Sequence, residues 1–346
     1  MPSEFDSTPI RCSVTSPGDL IVAVPAMLGF FPTASIVLMF VGGPSGRRIG
    51  PIVRYDMIPA GFAERDVEHI IGSVCERAVS VHEDLSIQSV ICLFVDAWPT
   101  TMHEMVLRVL DRQVRDYGLR VSDAFWTPEI APGKPYRSML SDRKHGRLPD
   151  PTASEVAAAS VLSGRRIFES RDDLTAVFAP TPCPEADEVA KRLRRPAKPP
   201  KPQLGLQRVL RAVRAVGSGE TVGVETVVVV SRALGDKKVR DAALALAATD
   251  QAKAAELLWI AMARLAPAPQ RAEPLTLLGH LAYLGGDGAM ASSAFAAALE
   301  SDPEHVLAGL LDESLQSGIA PTEIRAFTAC GFDCAAHLGV ELSPAG

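Results

Sequence analysis

The sequence predicts an α/β fold with a second, all-helical part: an N-terminal mixed β-sheet flanked by helices, then a C-terminal region of helices alone. Three observations predict it. Two short apolar runs rich in branched residues, Ser35–Val41 (SIVLMFV) and Ser89–Val95 (SVICLFV), read as buried strands. Around them, apolar stripes at helical spacing alternate with strand patterns, the order expected when helical crossovers join parallel strands. Beyond a proline-rich basic stretch, Pro180–Pro202, helical spacing takes over. The 346 residues suffice for two domains at roughly 150 residues each.

In chain order, Ser35–Val41 is bounded by Pro32 and by Gly42-Gly43-Pro44-Ser45-Gly46, and Ile49–Met57 follows with period-two apolar character, so the two predict a β-hairpin. Val67, Ile70, Ile71, Val74, Cys75 and Ala78 make the stripe of an amphipathic helix. After the strand at Ser89–Val95 comes a helix carrying Val106, Leu107, Leu110, Val114 and Tyr117 on one face, capped by Thr100 or Thr101. Val121–Trp126 is the last strand. Residues 128–152, rich in proline, glycine and charge, read as an irregular excursion, and Ser154–Leu162 as an Ala-rich helix stopped by Gly164.

Six prolines (Pro182, Pro184, Pro196, Pro199, Pro200 and Pro202) argue against a continuous helix, so residues 180–203 are expected to be a semi-extended linker. It would separate an α/β domain at 10–179 from a helical domain at 204–346. In the latter, Leu206, Val209, Leu210 and Val213 form one stripe, with Arg208, Arg211 and Arg214 at threefold spacing on another face. Thr221–Leu234 contains VETVVVV, whose branched residues favour strand. With no partner strand nearby, helix is predicted. Leu275, Leu278, Gly279, Ala282, Ala291, Phe295, Ala298 and Pro303 match the spacings of the tetratricopeptide repeat of about 34 residues, in which small residues let two helices approach. The expected C-terminal domain is therefore all-α and tetratricopeptide-like.

Composition bounds the class. With 47% apolar and 22% charged residues the chain is too apolar to be disordered, and six cysteines are too few for a disulfide scaffold. Met1–Thr8 is polar and carries Glu4 and Asp6 where an export signal would be basic, and the longest apolar run, Leu20–Phe31, is interrupted by Pro25 and Gly29. A cytoplasmic protein with no membrane span is expected. The net charge of −6 conceals a pattern: residues 1–180 sum to −4, residues 181–215 to +6 and residues 216–346 to −8. Two acidic blocks flank a basic bridge.

Leu28-Gly29-Phe30-Phe31-Pro32-Thr33-Ala34-Ser35-Ile36-Val37, followed by Arg54-Tyr55-Asp56, resembles the N-terminal mark of an actinobacterial family, domain-of-unknown-function family 4192. Gly285-Gly286-Asp287-Gly288-Ala289, Asp302-Pro303 and Gly318-Ile319-Ala320-Pro321 are similar to its Ala-rich tail. The resemblance implies a bacterial cytoplasmic protein and implies no catalytic residues. Where many members have a W-x-S-Y-x-C segment followed by paired cysteines, this chain has Tyr136-Arg137-Ser138 and then no cysteine before the linker.

Candidate chemistry is sparse. Arg54, Asp56 and Asp96 lie at the ends of predicted strands, where open α/β sheets bind ligands, and the two carboxylates would suit a divalent cation or a division of acid and base roles if neighbours. Alternatively each caps a turn, or Asp56 pairs with a local cation. Cys330, Cys334 and His337, at i, i+4 and i+7, would share a helix face as zinc-compatible ligands, but without a fourth ligand nearby. His103-Glu104 does not extend to HExxH and reads as helix surface; Gly42–Gly46 lacks the ending of a phosphate loop; no G-x-S-x-G elbow occurs. No cofactor is implied.

Three functional readings follow. In the first, the helical region docks a protein partner or a second copy, through residues such as Leu275, Tyr283 and Phe295. The second is an enzyme or small-molecule sensor with its site around Arg54, Asp56 and Asp96. The third is nucleic-acid contact through the basic run Lys191, Arg192, Arg194, Arg195, Lys198 and Lys201, continued by Arg208, Arg211 and Arg214, which lacks interleaved aromatics.

Overall fold

The computed structural model describes residues 14–80, 86–162 and 164–345, without the side chains of 77–80. The Met1–Thr8 segment and the side chain of Ala78 lie outside them. The chain divides into two compact units at Arg171/Asp172. The fold class follows the prediction: a mixed sheet with helices first, helices alone afterwards.

The α/β unit opens with α1 (Pro17–Leu28), capped by Ser16, whose hydroxyl accepts the Asp19 N–H while the Asp19 carboxylate accepts the Ser16 N–H. Pro25 lies inside this helix. Read as a breaker, it hid α1 from sequence reasoning; burial of Leu20, Ile21, Val22 and Val24 outweighs the one hydrogen bond Pro25 forfeits. Gly29, in the left-handed region at φ 80°, turns the chain toward the sheet.

The strands are β1 (Ser35–Gly42), β2 (Arg48–Asp56), β3 (Ser89–Val95), β4 (Arg120–Thr127), β5 (Pro135–Ser138) and β6 (His145–Arg147), in spatial order β2-β1-β3-β4-β5-β6. β1 is antiparallel to β2 and β3, and β3 is parallel to β4. Every residue of β1 is buried, which explains its unbroken apolar run. Alternate residues divide between two cores: Val37, Met39, Leu93, Val95 and Phe125 pack with α1, while Ile36, Leu38, Phe40, Cys92 and Phe94 face α2 (Glu64–Ser80) and α3 (Thr101–Asp116). The edge strand β2 carries Pro51 inside a register shift, a combination that blunts further strand pairing. The expected irregular excursion holds β5 and β6. Here Asp123, buried in β4, binds Ser138 Oγ at 2.7 Å and Lys144 Nζ at 2.6 Å, pinning the added strands. α4 (Glu155–Leu162) closes the unit, its buried Ser160 hydroxyl donating to the Ala26 carbonyl of α1.

The helical unit corrects the linker. Residues 180–203 are not semi-extended throughout: they hold α6 (Pro184–Leu193), capped by Cys183, with Val189 fully buried, while residues 196–201 form no regular element. Pro184 is the first residue of α6 and Pro202 the first of α7 (Pro202–Gly217), positions where the missing N–H and fixed φ favour a helix instead of breaking it. The boundary also lies earlier than expected. Residues from 172 onward, nearly all of α5 (Arg171–Ala176) included, belong with the helices, and the Phe178 carbonyl and Thr181 are bonded to Arg271 and Arg264. α8 (Val224–Leu234) contains the valine run and is helical, with Val227, Val228 and Val230 buried. α9 (Lys237–Ala243), α10 (Ala252–Leu265), α11 (Ala272–Leu284), α12 (Gly288–Ser301), α13 (Val306–Gln316) and α14 (Pro321–His337) follow, α10 to α13 packing in sequence order. A Cβ on Gly279 of α11 would lie 2.4 Å from the Phe295 ring of α12, so only glycine permits this spacing. α14 packs back on α9 and the following turn at Gly331, whose added Cβ would lie 2.6 Å from the Ala245 nitrogen.

Candidate functional site at the strand ends

Because β1 runs against both neighbours, β2, β3 and β4 point the same way and end on one edge of the sheet. Asp56, Asp96 and Thr127 mark those ends. Ser35 pairs with Asp56 on one side and with Val95 on the other, so two strand spacings, about 10 Å, separate β2 from β3 there. The topology brings the predicted residues to a common edge.

The alternation of side chains then separates them. Arg54 and Asp56 share the face of Ser35: Arg54 Nε donates to Ser35 Oγ at 2.9 Å, and its Nη2 meets Asp56 Oδ1 at 2.7 Å. The guanidinium also stands 5.9 Å from the Phe30 ring centroid. Arg54 is largely buried, whereas the Asp56 side chain is 78% exposed. Asp96 turns to the opposite face, toward α3, so the two carboxylates do not form an acid/base or cation-binding pair. That part of the expectation is corrected by the pleat of the sheet. Among the described residues no group of three or more His, Cys, Asp or Glu side chains is arranged to hold a metal ion.

Asp96 is firmly placed. Its N–H donates to the Thr127 carbonyl at 3.1 Å, its carbonyl accepts the Trp126 indole at 2.9 Å, and Oδ1 accepts the Ala97 N–H at 2.9 Å. Oδ2 faces His103 Nε2 at 3.6 Å. His103, expected on the helix surface, is instead fully buried, its ring 4.6 Å from that of Phe94. It stands at the third position of α3, and its Nδ1 accepts the Thr100 N–H at 2.9 Å, a histidine in the role usually taken by a capping-box glutamate. Since Nδ1 is an acceptor, the neutral ring carries its proton on Nε2, and that proton lacks a hydrogen-bond partner. Burial pushes the His103 imidazole below its ordinary pKa, against the opposing pull of Asp96. The result is a neutral buried donor aimed at a partly exposed carboxylate. Two residues beyond Asp96, Trp98 is 77% exposed, and Phe62, in the loop after β2, is exposed as well.

Other candidates lie elsewhere. Leu275, Tyr283 and Phe295 are buried in the helical core, so they hold the unit together and offer no docking face; the matched spacing marked interior packing. On α14, Cys330 is exposed, Cys334 half-buried, and His337 Nδ1 donates to the Asp333 carbonyl at 2.8 Å. A cavity of about 320 Å³ in the α/β unit, lined by Thr15, Asp19, Asp150 and Glu155 among others, adjoins neither expected site. Two of its carboxylates already serve as caps, Asp19 for α1 and Asp150 for the turn at Pro151–Ala153.

The chain is thus built of two units: an α/β unit whose strand-end edge carries Arg54, Asp56 and Asp96, and a helical unit. A family model described as Domain of unknown function (DUF4192) matches residues 17–322, and the chain belongs to that family. No curated protein and no solved structure matches it. Among the described residues no helix is long and apolar enough to cross a membrane.

Proposed function

We propose that this chain is a cytoplasmic regulatory module of an actinobacterium that binds a small ligand at the strand-end edge of its α/β unit. The observation that carries it is the Asp96 station. A carboxylate that accepts the Ala97 N–H, on a residue whose main chain is tied to Thr127 and to the Trp126 indole, is backed by the unpartnered Nε2–H of buried His103 and lies two residues from the exposed Trp98, at the edge where open sheets hold ligands. His103 has no access to solvent, so its part is to orient Asp96, and Asp96 and Trp98 are the ligand contacts. Differential scanning fluorimetry of the full chain against a metabolite library tests this. Compounds that raise the unfolding midpoint of wild type are expected to lose at least half of that shift in Asp96→Asn and Trp98→Ala; hits that stabilise both variants as well as wild type would refute the site.

A second reading, protein docking by the tetratricopeptide-like helical unit, is favoured by Val306 (71% exposed) and Leu310 (50%), one turn apart on α13. Replacing both with Glu in the full chain would abolish recovery of any partner bound there, or shift a dimer to monomer in sedimentation.

A further inference from the structure

We infer that residues 194–214 form a preorganised, sequence-independent docking surface for the phosphate backbone of nucleic acid. Arg194, Arg195, Lys198, Lys201, Arg211 and Arg214 are exposed and Arg208 is half-buried. None of Arg194, Arg195, Lys198, Lys201, Arg208 and Arg211 has an acidic partner among the described residues, and Glu188, the acid of α6 nearest to them in sequence, is engaged with Lys191 and Arg192. Such a run on a flexible linker would be a solvated tether. Here it is held. Arg192 binds Glu225 of α8 at 2.5 Å, and Arg232 donates to the carbonyls of Arg192 at 2.8 Å and Arg195 at 3.3 Å, fixing the start of the basic segment.

The continuation from Pro202 lies on a helix. Leu206, Val209, Leu210 and Val213 bury the inner face of α7, so Arg208, Arg211 and Arg214 must face outward. They span about 9 Å of helix axis. That is close to the rise of three nucleotides, about 10 Å along one strand. Residues 181–215 carry nine basic against three acidic side chains in a chain of net charge −6, so attraction is local to this surface. Five of the seven cations are arginine, the side chain whose planar fork meets phosphate oxygens in pairs. The segment contains no aromatic residue, which removes stacking on bases and predicts indifference to sequence. An anionic membrane fits less well, because the apolar side of α7 is committed to the core.

The test is fluorescence anisotropy of the full chain with two unrelated 20-base-pair DNA duplexes between 50 and 200 mM salt. Expected are equal affinities for both and a slope of log K against log salt of about −4, from four to five neutralised phosphates. The exposed-site variant Arg194→Ala/Arg195→Ala/Lys198→Ala, with an unchanged unfolding midpoint, should weaken binding at least tenfold and flatten the slope by two to three; Arg208→Gln/Arg211→Gln should do so by one to two. Absence of binding at 50 mM salt, affinity unchanged in both variants, or capture by phosphatidylserine vesicles in place of duplex would overturn the inference.

Discussion

His280 of α11 is buried, with Nε2 3.1 Å from Thr328 Oγ1 of α14 and no partner for Nδ1. Desolvation pushes its pKa down to about 4. A histidine depressed in the folded state contributes stability that is complete above its unfolded pKa, about 6.5, and is lost as pH falls toward 4. The unfolding midpoint is therefore expected to drop steadily between pH 7 and pH 4, by an amount equivalent to about 3 kcal/mol for this group. His280→Gln should flatten the profile without abolishing it, because burial shifts His103 in the same direction; an unchanged profile would mean that other groups govern acid unfolding. Arg271 shows the complementary case of a buried cation. It donates to the carbonyls of Ala263 and Phe178 and to Ser301 Oγ, tying the start of the helical unit to α10 and α12. Arg271→Ala leaves these acceptors unpaired in the interior, and chemical denaturation should register a loss of about 3 kcal/mol.

At the scale of elements, two glycines set helix spacing by different means. At Gly279 the obstacle to a methyl group is the Phe295 ring, a side chain, whereas at Gly331 it is the backbone of Ala245. Gly279→Ala should cost about 2 kcal/mol and recover at least half of it in combination with Phe295→Leu. Gly331→Ala should cost more, and trimming a neighbouring side chain should not rescue it; equal rescue of both would show that α14 moves freely. The elements also show what local pattern conveys. β1 and β3 were legible because a strand buried on both faces is apolar throughout. α1 and α6 were not, since Pro25, Pro184 and the clustered prolines read as breakers; only the position of a proline within its helix, first turn or interior, decides its effect. The valine run of α8 shows tertiary packing overriding propensity.

For the whole molecule, the division at Arg171/Asp172 has a measurable consequence. Leu174 and Phe178, both buried, belong with the helices. A fragment starting at residue 172 should be more stable than one starting at 180 by about 3 kcal/mol or more, the burial of two large apolar side chains, as read by urea unfolding. Equal stability would place the true boundary after Phe178.

The sequence by itself determined the class of fold, the alternation of strands and helices in the first half, the placement of Arg54, Asp56 and Asp96 at strand ends, and the +6 bridge between acidic blocks. These are local properties, written in the period and charge of neighbouring residues. Only the tertiary structure decided which of them are available. Period-two alternation sends successive side chains to opposite faces, yet nothing local says which layer covers each, so the separation of Asp56 from Asp96 emerged only with α1 on one face and α3 on the other. In the same way Leu275 and Phe295 became core, His103 passed from surface to interior, and the basic run gained a rigid support, because burial and rigidity depend on partners distant in the chain.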